Sequence, residues 1–203
     1  MAWWNSVLGT QSTPASRSEL SKAYSKLGRM LGSDRLEFAR QEIDRENAAR
    51  FLVFQGRPLH EFGRAALLLF ALEQLPEEEH AEFVNELFMH GDSREQEALL
   101  RALSILPNQG RFLSTAVEAC RANVQTVFEA IACENPYPSC YFPESNFNQL
   151  VLKVIFTGVS LQRIVGLSDR VTPALKGMVG DHIKERTVTG RPVHEDVALI
   201  MNP

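Results

Sequence analysis

Apolar residues in this chain recur at helical spacing along almost its whole length, and the alternation that marks strands is almost absent. Phe62, Ala65, Ala66, Leu68, Leu69, Leu72 and Leu75 form one stripe over residues 60–75. Val124, Val127, Phe128 and Ile131 stand at i, i+3, i+4 and i+7, which predicts a buried face on the helix after Asn123. Leu175, Met178, Val179, His182 and Ile183 form a third stripe. Start and stop signals divide the pattern. A first helix runs from about Ser16 to Leu31 and stops at Gly32. Ser33 or Asp34 caps a long charged helix to about Phe54, ended by Gly56-Arg57-Pro58. Pro76 suits the first helical position, and Glu77, Glu78 and Glu79 behind it complement the positive end of the helix dipole as a solvated start. Gly91 ends that helix, and Asp92-x-x-Glu95 predicts a capping box. Ser160 caps a short helix over 161–165. Thr172 followed by Pro173 opens the last long one, which Gly190-Arg191-Pro192 ends. The fold class is therefore all-α.

One internal echo refines this. Residues 66–76 align with 97–107 at an offset of 31 residues, matching Leu68 with Leu99, Leu72 with Leu103 and Pro76 with Pro107. A period near that length, with two helices per unit, predicts a right-handed α-superhelix, a short HEAT- or armadillo-like repeat array. An irregular helical bundle is the alternative. Residues 1–16 read as a mobile lead, 17–193 as a single helical domain, and 194–203 as a tail that forms a short docking helix.

A chain of 203 residues buries roughly 70% of its unfolded surface and needs no metal or disulfide to be stable. Its net charge of −4 lacks the basic stripe of a nucleic-acid binder and disfavours charge-driven binding to an anionic membrane. Cys120, Cys133 and Cys140 form no CxxC and have no histidine at ligand spacing, so they read as small core residues in a reducing compartment and not as a zinc site. The run around Trp3 and Trp4 is too short for a signal peptide or a membrane span. Those rings either pack on the domain or touch a membrane surface. The location expected is the cytoplasm, or the periphery of the inner membrane. No nucleophile, phosphate-loop, dinucleotide or zinc-protease motif is present, so no catalytic residue, metal or cofactor is assigned.

The unusual stretch runs from Asn135 to Phe156. Asn135 to Pro143 holds three prolines and three aromatics, and reads either as a rigid packed connector or as one wall of an apolar pocket. The helix behind it is apolar nearly all round, yet carries Asn148, Gln149 and Lys153. A buried ammonium needs a partner. Lys153 therefore snorkels, makes a structural ion pair, or contacts an anion or carbonyl in a pocket, with Gln149 one turn before it. Arg121 and Asn123 sit at a helix junction where Asn123 suits an N-cap. Glu129 follows within pairing reach of Lys153, Arg121 or Arg163. The candidate ligand-binding set is Arg121, Asn123, Glu129, Asn135, Tyr137, Asn148, Gln149, Lys153 and Arg163. His182, on an apolar stripe, reads as a satisfied core histidine, and Asp181, Glu185 and Arg186 as a solvated charged face.

Arg121-x-Asn123, Phe128-Glu129-Ala130, Asn135-Pro136-Tyr137-Pro138, Tyr141-Phe142, Asn148-Gln149-x-Val151-Leu152-Lys153, Arg163 to Leu167 and Glu185-Arg186 resemble the EboA-domain family. The resemblance is strong over 111–191 and extends over 57–110; the first 55 residues share only a helical character. Phe147 stands where a Trp is expected, and Lys176-Gly177-Met178 and Gly180 depart from a helix richer in Ala and Arg. The resemblance implies an accessory role in trafficking or maturation of a secondary-metabolite precursor. The partners it implies are a small-molecule or prenylated precursor, a UbiA-type membrane prenyltransferase and other Ebo-cluster proteins. Binding in a helical-repeat pocket, a protein–protein scaffold, and acid–base catalysis by Glu129 and Lys153 are the three expectations, in that order.

Overall fold

The computed structural model describes residues 15–32, 34–35 and 52–202. The expected helix from Ser33 or Asp34 to Phe54 falls almost wholly outside the described residues, as do Trp3, Trp4 and most of the lead. Among the described residues every regular element is helical, and one isolated bridge joins Arg35 to Pro58. Contacts divide the chain into two compact units, Met1–Ala130 and Ile131–Pro203.

The first unit holds α1 (Arg17–Leu31), α2 (Leu59–Gln74), α3 (His80–His90), α4 (Ser93–Ala102) and α5 (Leu113–Ala119), with most of α6 (Gln125–Ala132). Ser16 and Glu19 close a capping box on α1, and Asp92 and Glu95 close the predicted one on α4, so each helix start satisfies two orphan amides through its own side chains. α2 packs on both α1 and α4. Tyr24, Leu27, Leu67, Leu68, Leu99 and Leu103 are buried there. The two segments of the 31-residue echo thus belong to α2 and α4, which touch.

Two local expectations change. Pro76 precedes a 3-10 turn, Glu77–Glu79, and the α-helix begins only at His80. Asn108 and Arg111 both bond Glu77, and the His80 ring bonds the Leu75 carbonyl, so the acidic run is tied into a loop before the helix starts. Val124 is 48% exposed, because α6 starts after it, at Gln125, and the buried face begins at Val127.

The second unit holds α7 (Tyr137–Tyr141), α8 (Glu144–Thr157), α9 (Pro173–Val188) and α10 (Ala198–Met201), with 3-10 turns at 161–163, 168–170 and 195–197. The proline- and aromatic-rich connector contains a five-residue helix, α7, and just before it Asn135 Oδ1 accepts from the Tyr137 amide at 3.0 Å. Gly158 ends α8 at φ 71°, a left-handed turn that disfavours a side chain. Thr172 and Pro173 start α9 as the sequence predicts. The tail docks through Val197 and Ile200, both buried.

Candidate functional site

The connector is held from outside by two arginines. Arg170 donates to the Ser139 and Phe142 carbonyls at 2.5 and 2.7 Å, and its guanidinium lies over the Phe147 ring at 4.6 Å. Arg163 forks onto Glu134, with Nε to Oε1 at 2.6 Å and Nη2 to Oε2 at 3.0 Å, while its own carbonyl accepts from the Glu134 amide. Tyr137 is fully buried, with rings of Tyr141 and Phe142 at 4.9 and 6.3 Å, and burial pushes its hydroxyl pKa up. These contacts favour the packed-connector reading of the aromatic stretch. Arg170 carries much of that packing, and sequence alone did not single it out; a lone arginine in a polar turn looks like any surface arginine.

The remaining predicted site residues take varied positions. Arg121 is exposed and pairs with Glu118 at 2.7 Å, one turn back on the chain. Asn123 is exposed, and Glu129, half-buried, accepts from Gln125 Nε2 at 2.8 Å. Asn148 is buried with an Oδ1 that finds no partner, while Gln149 beside it is exposed and Lys153 is half-buried.

Two constellations of polar groups stand out from the packing. In the first unit, Glu61, Arg64, Glu95 and Arg101 all lie buried, with His60 and Tyr24. Arg64 Nε donates to the Tyr24 carbonyl at 3.2 Å, Nη1 meets His60 Nδ1 at 2.9 Å, and Nη2 faces Glu95 Oε1 at 3.7 Å. The Tyr24 hydroxyl donates to the Glu95 carbonyl at 2.8 Å. Arg101 Nε faces Glu61 Oε2 at 3.5 Å. Burial raises the Glu61 pKa even against Arg101, and burial together with Arg64 lowers that of His60. A β-carbon at Gly28 would stand 2.7 Å from Arg64 Nη2, so a side chain there would have to displace the guanidinium. Every charge in this cluster faces an opposite one, and the cluster pins α2 to its neighbours.

In the second unit, the end of α8, the last turns of α9 and the 192–196 turn enclose an open cleft of about 510 Å³. Ile155, Phe156 and Val193 give it apolar walls; His182, Arg186 and His194 give it nitrogen donors or acceptors. None of the nine sequence-predicted site residues lines this cleft. The tail wall is fixed by Asp196, whose Oδ2 accepts from the Ser160 hydroxyl at 2.5 Å and the Leu161 amide at 2.9 Å. Those bonds, the Ser160 one first, hold its pKa below the ordinary carboxylate value. His194 Nδ1 accepts from the Asp196 amide at 3.2 Å, so its proton is on Nε2, which is therefore a donor. Arg186 Nε donates to the Pro192 carbonyl at 2.9 Å.

His182 is the exception to the expected pattern. It is only 8% exposed and its ring stands edge-on to Phe156 at 4.7 Å, yet its buried Nδ1 has no hydrogen-bond partner. The satisfied core histidine expected from the stripe is corrected to an unsatisfied one. Arg186, one turn on, turns out to line the cleft, while Asp181 and Glu185 of the same expected face pair with Lys184 and Arg191. A helix stripe shows that a residue faces inward; it carries no information on whether a loop ten residues later supplies its partner.

What fold and sites define is an all-helical protein whose described residues hold an internally paired charge cluster and an open, mixed-polarity cleft. The family model described as "Metabolite traffic protein EboA" matches residues 1–202, and the chain belongs to this family. The match takes in the first 55 residues, beyond the span over which the sequence motifs carried the resemblance. No curated protein and no solved structure matches the chain. No helix among the described residues is long and apolar enough to cross a membrane.

Proposed function

We propose that this chain is a non-catalytic carrier that holds a small molecule, such as a secondary-metabolite precursor or its lipid-linked form, in the cleft formed by α8, α9 and the 192–196 turn. The family points to metabolite traffic. The observation that carries the choice of place is His182, a residue of the cleft lining whose buried Nδ1 has no partner within the fold. A buried polar atom left unpaired costs about 1–3 kcal/mol, which a ligand group reaching it would recover in part. A cleft of this size, with apolar walls and a few converging polar groups, suits a small-molecule ligand. A scaffold for a UbiA-type prenyltransferase is the second reading. It is favoured by Val188, 88% exposed near the end of α9, and Phe156, 65% exposed at the end of α8. Either role fits a cytoplasmic or membrane-peripheral protein.

Native mass spectrometry of protein purified without detergent from its own host tests this. The carrier reading expects a co-purifying mass on the order of a few hundred daltons, lost on Phe156→Ala and kept on Lys153→Ala. Loss on Lys153→Ala alone would move the site to the Arg121–Arg163 set. A bare protein mass in the wild type would sink the carrier reading in favour of the scaffold.

A further inference from the structure

We infer that the cleft selects a planar, unsaturated molecule carrying one carboxylate-type anionic group, which Arg186 holds by its two terminal nitrogens. The inference rests on the cleft being the binding place proposed above, and adds the chemistry of the ligand.

Five observations converge. Arg186 is the cation of the cleft, and no carboxylate among the described residues pairs with it. Its Nε is tied to the Pro192 carbonyl, which fixes the fork and leaves Nη1 and Nη2 for an end-on, two-bond contact with a pair of oxygens. The two carboxylates in the lining do not answer this charge. Asp196 is engaged by the Ser160 hydroxyl and the Leu161 amide, and Glu195 is exposed to solvent. The histidines add hydrogen-bonding nitrogens: His194 Nε2 as a donor, and His182, whose buried Nδ1 has no partner within the fold. Finally, Phe156 sits at the lip in T-shaped contact with the His182 ring, and 65% of its surface is exposed and open to an unsaturated ligand.

The test compares cinnamate with cinnamyl alcohol, which share a ring and a double bond and differ in charge. Affinity is read by calorimetry and location by backbone amide NMR shifts on the full chain, with Arg186→Gln as the variant and circular dichroism as the check of its fold. The expected result is that cinnamate binds about tenfold tighter than the alcohol, the worth of one charge-assisted contact. Shifts would cluster at residues 155–160 and 182–196, and Arg186→Gln would erase the difference between the probes while leaving the alcohol unchanged. Equal affinity of the two probes for the wild type, both shifting the cleft, would overturn the anion inference and leave the carrier site standing. Absence of cleft shifts with either probe would overturn both.

Discussion

In the first unit, Arg64 and Arg101 lie buried with Glu95 and Glu61 at 3.7 and 3.5 Å, and His60 and Tyr24 complete the set. In the second, the buried His182 keeps an Nδ1 without a partner beside an open cleft. Both places put polar groups under helices, at similar loss of hydration. The difference lies in what answers them: opposite charges from neighbouring helices in one case, and no partner within the fold for the Nδ1 of a cleft-lining histidine in the other. A paired buried cluster is explained by the fold itself, since it fixes which helix faces which. An unpaired one asks for something from outside.

The comparison can be broken most forcefully at the Glu61–Arg101 pair. Arg101→Met strips Glu61 Oε2 of the charge it faces, and that atom has no hydrogen bond to fall back on. The variant is expected to lose about 3–5 kcal/mol in urea unfolding, and Glu61→Leu added to it to restore most of the loss. A near-neutral single variant would mean the cluster is hydrated and the contrast between the units is false.

A smaller effect of opposite sign is expected in the second unit. His182→Phe removes an orphan nitrogen and keeps an aromatic ring against Phe156, so stability should rise by about 1 kcal/mol while ligand retention falls. A destabilised variant would show that Nδ1 is in fact answered within the fold.

The smallest effect is a pH slope. His60 titrates below its ordinary value because burial, then Arg64 and Arg94, oppose its charge, with Asp92 and Glu97 working the other way. The unfolded chain therefore binds this proton more readily, and His60 contributes stability that is present above the unfolded value near 6.5 and lost as pH falls below it. His60→Gln should flatten the urea midpoint between pH 6.5 and the mildly acidic range. Glu61 has the reverse sign. Its raised value means its contribution is held in acid and lost as pH rises through that value, so the Glu61→Leu/Arg101→Met pair should gain most, relative to wild type, at neutral pH.

The sequence disclosed the helices well because their signals are local. Asp92 with Glu95, Thr172 with Pro173, Ser160 and Gly91 each act within a few residues of where they stand. It disclosed the sites poorly because burial of charge is not local. His60, Glu61 and Arg64 on α2 and Arg101 on α4 are residue types usually found in solvent, and only the packing of α2 against α1 and α4 puts them inside. The connector at 135–143 is conspicuous by composition, yet its polar and aromatic groups are spent on packing: Asn135 binds the Tyr137 amide, and Arg170 takes the carbonyls. The cleft joins Phe156 and His182 to a turn at 192–196, a juxtaposition with no signature in residue spacing.

If the cleft is the binding place, His182 responds to the ligand and His60 does not. Imidazole nitrogen NMR of labelled protein, stripped and then exposed to the small-molecule extract of its host, tests this directly. The His182 Nδ1 resonance is expected to move on addition, and that of His60 Nδ1, already bonded to Arg64, to stay in place. A stationary His182, or equal movement of both, would contradict it.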